Sequence, residues 1–73
     1  MVITKELLTS KGFEEEDLGY FRLFLLDGSY ICVHTNDTPI VEVVSGKEMA
    51  RVETFSAERV NTILSIFHIK FRL

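Results

Sequence analysis

The residues best suited to chemistry lie in the stretch SYICVHTND, residues 29–37. Cys32, His34 and Asp37 place a thiol, an imidazole and a carboxylate within six positions. An imidazole next to a thiol is the pairing that cysteine nucleophiles use, because the thiolate is the reactive form and a base generates it. One hypothesis is therefore a small-ligand or catalytic site near Cys32 and His34, with Tyr30 beside them.

The spacing of these residues favours a simpler interpretation. On a strand Tyr30, Cys32 and His34 share one face, and the strand rise places the Cβ atoms of Cys32 and His34 roughly 6–7 Å apart. That distance is long for a thiolate–imidazolium contact, and Asp37 follows in a turn. No glycine-rich or helix-N-terminal donors for an oxyanion lie nearby. We predict a small buried thiol beside a half-exposed histidine, and no enzyme.

Metal and cofactor sites are not predicted. One Cys and two His fall short of the four ligands of a zinc site unless acidic residues complete the set. Four consecutive acidic residues, EEED at 14–17, rarely converge on one ion, since calcium loops alternate their ligands with a glycine. A single Cys also excludes an internal disulfide.

Two helices are predicted around this region. In ITKELLTSKGF, residues 3–13, Thr4 is the N-cap and Gly12 suits the left-handed position after the helix. Ser56 is the N-cap of the second helix. The second helix carries one apolar face with the spacing i, i+3, i+4, i+7, formed by Val60, Ile63, Leu64 and Phe67.

The middle of the chain predicts four strands. Asp27-Gly28 between two apolar segments is a strong hairpin signal, and NDTP and Ser45-Gly46-Lys47 are further turns. The predicted strands cover residues 19–26, 29–35, 40–45 and 48–55. The expected fold is one α+β domain over residues 1–73, in the order α-β-β-β-β-α. It is a four-stranded antiparallel meander with both helices packed on one face.

Charge and hydropathy exclude several classes of partner. The net charge is −3, and no basic stripe is present, which argues against nucleic-acid binding. The longest apolar run is interrupted by Arg22 and Asp27 and is far shorter than a membrane span. No signal-peptide pattern is visible, so a cytoplasmic protein is expected. The acidic patch contains Glu14, Glu15, Glu16 and Asp17.

The first predicted strand is apolar on both faces, while 73 residues provide helices for only one face of a sheet. An uncovered apolar face is larger than a small monomer usually exposes, and burial against a second copy removes it. We therefore expect a non-enzymatic protein-interaction module that forms a homodimer through its sheet. The expected interface residues are Phe21, Leu23, Phe24 and Tyr30. The sequence does not decide which of the two sheet faces points outward.

The last residues, HIKFRL at 68–73, allow two interpretations. Their basic side chains suit the C-terminal end of a helix. Alternation of Ile69, Phe71 and Leu73 with polar residues also fits a short strand at a sheet edge. We expect these three apolar side chains to be buried.

The segment ITKELLTSKGF and the later stretch VNTILSIF resemble small uncharacterised proteins of gut Bacteroidetes and their phages, which begin with an ITxExLxxxGF pattern. The resemblance implies a bacterial or phage cytoplasmic setting and no known activity. Together with the acidic patch, it suggests an alternative function, a phage-associated inhibitor that binds a host protein through that patch. Binding that is steered by electrostatic attraction to an acidic patch weakens as the salt concentration rises.

Overall fold

The computed structural model describes all 73 residues as a five-stranded antiparallel sheet with one helix before it and one after it. The elements are α1 Lys5–Ser10, β1 Glu14–Asp17, β2 Tyr20–Phe24, β3 Tyr30–His34, β4 Ile40–Ser45, β5 Glu48–Glu53 and α2 Ala57–Ile66. Each strand lies beside the next one in the chain, so the sheet is a simple meander. The predicted α+β class and the meander are confirmed, but the number of strands is five.

Strand β1 is the element that the sequence did not predict. Its four acidic residues carry no apolar alternation, and all four side chains are exposed. The strand pairs with β2 across a tight turn at Leu18 and Gly19, where Gly19 has a φ of +78°. The Glu15 carboxylate accepts a hydrogen bond from the Gly19 amide at 2.8 Å and holds this turn. Charged side chains suit an edge strand because they discourage pairing with a foreign strand.

Both helices begin at their predicted caps. The Thr4 hydroxyl accepts a hydrogen bond from the Leu7 amide at 3.1 Å. The Ser56 hydroxyl accepts one from the Arg59 amide, also at 3.1 Å. Each cap satisfies an amide that has no partner within its helix, which stabilises a helix by about 1 kcal/mol.

The core lies on one face of the sheet. Its buried strand residues are Phe21, Ile31, Val33, Val41 and Val43, and the helices add Leu8, Ala57, Val60 and Leu64. Both helices therefore contribute side chains to a single apolar cluster, in agreement with the prediction that they share one face.

Alternation along β2 fixes which face is outward. Phe21 is 2% exposed and belongs to the core, and Leu23 packs against the same cluster. Both residues were predicted to lie in the interface; Phe21 is instead buried in the core, and Leu23 is half-buried on the same side of the sheet. Phe24 and Tyr30 lie on the opposite face.

The C-terminal segment after α2 is buried without forming a strand. His68 adopts a φ of +59°, and the Ile69 amide donates to the Leu64 carbonyl at 2.9 Å. This turn directs the chain back along the domain. Ile69 and Leu73 are 4% and 8% exposed, and the Phe71 ring meets a core phenylalanine edge to face. The predicted burial is confirmed for Ile69 and Leu73, whereas Phe71 is half-buried. Of the two interpretations of this segment, the one with a strand does not hold. No helix is long and apolar enough to cross a lipid bilayer.

Candidate functional site

The candidate site is the sheet face opposite the helices, which no other element covers; we call it the open face. Strand register arranges its side chains in three rows that cross the sheet. The polar row contains Asp17, Tyr20, His34, Ile40 and Glu53. The charged row contains Glu14, Arg22, Cys32, Glu42 and Arg51. The apolar row contains Phe24, Tyr30, Val44 and Met49.

The apolar row exposes large side chains to solvent. Phe24 is 62% exposed and Met49 is 58% exposed. The rings of Phe24 and Tyr30 lie 5.6 Å apart between centroids, tilted by 48°. Aromatic residues and Met are enriched at protein–protein contacts, since they bury much area with few polar atoms. Two of the four predicted interface residues therefore lie where a partner has access.

Arg22 lies among aromatic rings at the centre of β2. Its guanidinium carbon is 5.4 Å from the ring centroids of Tyr20 and Phe24 and 6.0 Å from that of Tyr30. These distances allow cation–π attraction. Nη2 donates to the Tyr20 hydroxyl at 2.9 Å, which raises the pKa of Arg22, and lies 3.5 Å from the Glu16 carboxylate.

The same arginine has an unsatisfied donor. Its Nε atom is buried and has no hydrogen-bond partner in the chain. A buried donor without an acceptor destabilises the folded state by about 1–3 kcal/mol. Arg22 is therefore held among aromatic rings with one of its donors unpaired.

Tyr20 lies between the predicted thiol and imidazole. Its hydroxyl donates to the Cys32 sulfur at 3.2 Å, and its ring lies 4.5 Å from the His34 ring. The hydrogen bond to Cys32 raises the pKa of Tyr20, and this effect outweighs the lowering by Arg22. The sequence analysis missed Tyr20 and Arg22 as members of this cluster. A hairpin centred on Asp27 would have placed Arg22 opposite Cys32.

The thiol and the imidazole do not form a nucleophile–base pair. Cys32 is 3% exposed and makes no hydrogen bond to His34, whose side chain is exposed. Asp37 lies beyond the end of β3, in a shallow groove of about 310 Å³ shared with His34 and Arg51. Tyr20 thus lies between Cys32 and His34, while His34 and Asp37 border the same groove.

No group of three or more His, Cys, Asp or Glu residues is placed to hold a metal ion. Two further grooves exist. One of about 270 Å³ borders Arg22 and Phe24 beside Glu14 and Glu16, and one of about 460 Å³ lies between Leu26 and Phe71. The first groove is continuous with the open face.

The acidic patch lies on β1, at one edge of the sheet. Two of its members have partners within the chain, since Glu15 binds the Gly19 amide and Glu16 faces Arg22. Glu14 and Asp17 make no ion pair or side-chain hydrogen bond. Protection of the edge accounts for the acidic composition. Binding of a host protein through the patch stays a prediction.

Comparisons with protein-family models, curated proteins and solved structures find no match. The resemblance to Bacteroidetes and phage proteins therefore stays a prediction, and function has to be argued from the open face.

Proposed function

We propose that this protein is a non-enzymatic interaction module that self-associates by docking the open face of its sheet against the open face of a second copy. The observation that carries the proposal is the exposure of Phe24 and Met49 next to a half-buried Tyr30 and Arg22. Exposed aromatic residues around an arginine have the composition of an interface centre.

Sheet architecture supports the same proposal. Two sheets that pack face to face lie about 10 Å apart and bury an apolar layer between them. Here the helices cover one face only, so Val44 and Ile40 remain half-buried on the other. A second copy would cover them and exclude water from the apolar row.

The size of the open face sets the expected affinity. Five strands at about 4.8 Å spacing and five residues at about 3.3 Å rise give a footprint of roughly 400 Å² per copy. Standard interfaces bury about 800 Å² per partner, so we expect a weak, reversible dimer. Its dissociation constant should be of the order of tens of micromolar.

Sedimentation velocity over about 5–300 µM tests the proposal, because self-association follows mass action. The expected result is a shift from monomer to dimer across this range. Phe24→Ser should weaken the dimer at least tenfold, since truncating an aromatic hot-spot residue removes about 2 kcal/mol or more and tenfold corresponds to about 1.4 kcal/mol.

Leu26→Ser is the matched control. Leu26 is at least as exposed as Phe24 but lies in the turn after β2, away from the open face. This variant should associate as the wild type does. A protein that stays monomeric throughout the concentration range would exclude the proposal, as would equal effects of the two substitutions.

A further inference from the structure

The charged row carries alternating charges across the sheet. In strand order it reads Glu14, Arg22, Cys32, Glu42, Arg51, or minus, plus, neutral, minus, plus. Reversing the order about the central residue exchanges every sign. The row is therefore complementary to its own reversed copy.

We propose that two copies dock with a two-fold axis along β3, so that β2 of one lies over β4 of the other and β1 lies over β5. This inference rests on the proposed self-association and specifies its geometry. The axis places Arg22 over Glu42 of the second copy and Glu14 over Arg51 of the second copy. Symmetry forms each pair twice, which gives four opposite-charge pairs across the interface.

Three of these four groups, Glu14, Glu42 and Arg51, form no ion pair within the chain. The structure contains two ion pairs, from the N-terminal amine to Glu58 and from Arg22 to Glu16. Glu42 and Arg51 are opposite each other on neighbouring strands, yet they form neither an ion pair nor a side-chain hydrogen bond. Arg22 already faces Glu16, so the carboxylate of Glu42 of the second copy would be a second anionic neighbour of its guanidinium.

Other symmetric arrangements fit the charges less well. A two-fold axis in the plane of the sheets but perpendicular to the strands places each charge over its own equivalent, Arg22 over Arg22 and Glu42 over Glu42. Packing with the strands crossed at right angles places the charged row over β3, whose outward residues are Tyr30, Cys32 and His34. That arrangement buries charges without partners, which is costly. Only the axis along β3 pairs opposite charges.

The same axis also brings the apolar row and the polar row of one copy against those of the second copy without burying an unpaired charge. Phe24 lies over Val44 of the second copy, so apolar side chains meet. The two copies of His34 meet near the axis. Asp17 lies over Glu53 of the second copy, and this like-charge pair sits at an exposed corner, where water and salt screen it.

Charge exchange between Glu14 and Arg51 tests the geometry. The two residues lie at opposite edges of one sheet, about 19 Å apart by strand spacing, so a direct effect of one on the other within a chain is screened. Glu14→Lys alone and Arg51→Glu alone should each weaken the dimer about tenfold, because each turns two attractive pairs into repulsive ones.

The double variant Glu14→Lys/Arg51→Glu should recover an affinity within about threefold of wild type, because every pair is restored with its signs exchanged. An equimolar mixture of the two single variants should also dimerise, since each mixed pair is attractive. Glu48→Lys makes the same charge change on an exposed residue whose side chain alternates to the other face, and it should have no effect.

Sedimentation velocity of these variants separates the outcomes, with circular dichroism verifying that each is folded. If either single variant unfolds, Glu14→Gln and Arg51→Gln replace them, with about threefold weakening expected for each. A wild-type dimer that is insensitive to the single changes, or that the double exchange does not rescue, overturns this geometry and leaves the proposed self-association standing. A wild-type monomer overturns both.

Discussion

Tyr20 links the guanidinium of Arg22 to the thiol of Cys32 on the open face. Its hydroxyl accepts a hydrogen bond from Arg22 and donates one to Cys32. The sequence drew attention to Cys32 and His34 as possible chemistry. In the folded chain the thiol is instead covered and hydrogen-bonded, and the imidazole stacks on the Tyr20 ring. The polar atoms of this cluster position Arg22 and leave the thiol without a base.

Removing the Tyr20 hydroxyl measures the strength of this cluster. Tyr20→Phe should lower the free energy of unfolding by about 1 kcal/mol, because it deletes two hydrogen bonds and leaves the sulfur without a donor. Tyr30→Phe is the control, since the Tyr30 hydroxyl makes no hydrogen bond within the chain while its ring packs on Phe24 in the same way. Urea unfolding should show a change near zero for Tyr30→Phe. Equal losses for the two variants would contradict the assigned role of Tyr20.

Asp27 gives a residue-scale prediction about pH. The Ser29 amide donates to its carboxylate at 2.9 Å, which lowers the pKa of Asp27 in the folded state. A carboxyl group with a depressed folded pKa stabilises the fold above its unfolded pKa, and the effect is lost as pH falls through the folded pKa. Asp27→Asn should therefore be less stable than wild type at about pH 7 and equal to it near about pH 2. Thermal unfolding across this range would contradict the prediction if the difference stayed constant.

At the scale of elements, glycine substitutions test how tightly the turn between β1 and β2 is packed. Gly19 has φ +78°, and a Cβ there would lie within 3 Å of the Asn36 side chain, so Gly19→Ala is both strained and crowded. Gly28 has φ +90° but open space around it, so Gly28→Ala is strained only. We expect about 1 kcal/mol of destabilisation for Gly28→Ala and more for Gly19→Ala. Chemical denaturation measures both, and a smaller loss at Gly19 would contradict the close approach of the Asn36 loop.

The sequence predicted elements whose signals are local. The side chains of Thr4 and Ser56 cap the helix N-termini and so indicate where each helix begins. The pair Asp27-Gly28 indicates a hairpin turn. It missed β1 because acidic residues on an edge strand carry no apolar period, so their pairing depends on the neighbouring strand and not on their own pattern. Only those members of the open face that stand out in the sequence by their own residue type were predicted. Tyr30 and Phe24 were named, whereas Arg22 becomes notable only once the register places it among three rings.

For the C-terminal segment the sequence left the conformation open but predicted burial, which holds for Ile69 and Leu73. Ile69 is 4% exposed within the core, so Ile69→Ala should lower the free energy of unfolding by about 2–5 kcal/mol. Lys70→Ala, at the exposed neighbouring position, should change it by less than about 0.5 kcal/mol. Since a small domain has about 5 kcal/mol in total, the Ile69 variant should be partly unfolded at 37 °C. Similar melting temperatures for the two variants would show that this segment does not dock.

At the scale of the whole molecule, one sheet separates two different environments. The inner face has aliphatic and aromatic residues closed over by both helices, and the cluster contains no charged side chain. The outer face interleaves charges with aromatic and aliphatic residues, among which only Cys32 is fully buried. None of the seven elements in these 73 residues covers this face. The proposed self-association would bury it against a second copy.

If the proposed dimer forms, its coupling to folding makes the melting temperature depend on protein concentration. A partner that binds only the folded chain raises the free energy of unfolding by mass action. For a dimer, each tenfold rise in protein concentration above the dissociation constant adds about 0.7 kcal/mol per chain. In a domain of this size, 1 kcal/mol shifts the melting temperature by about 4–8 °C, so we expect a rise of about 3–6 °C per tenfold increase in concentration. Differential scanning calorimetry of wild type and Phe24→Ser measures it. Phe24→Ser should melt at one temperature throughout, because Phe24 is mostly exposed in the single chain and its loss acts on the interface. A wild-type melting temperature that is independent of concentration would contradict dimerisation even if the two proteins differed in intrinsic stability.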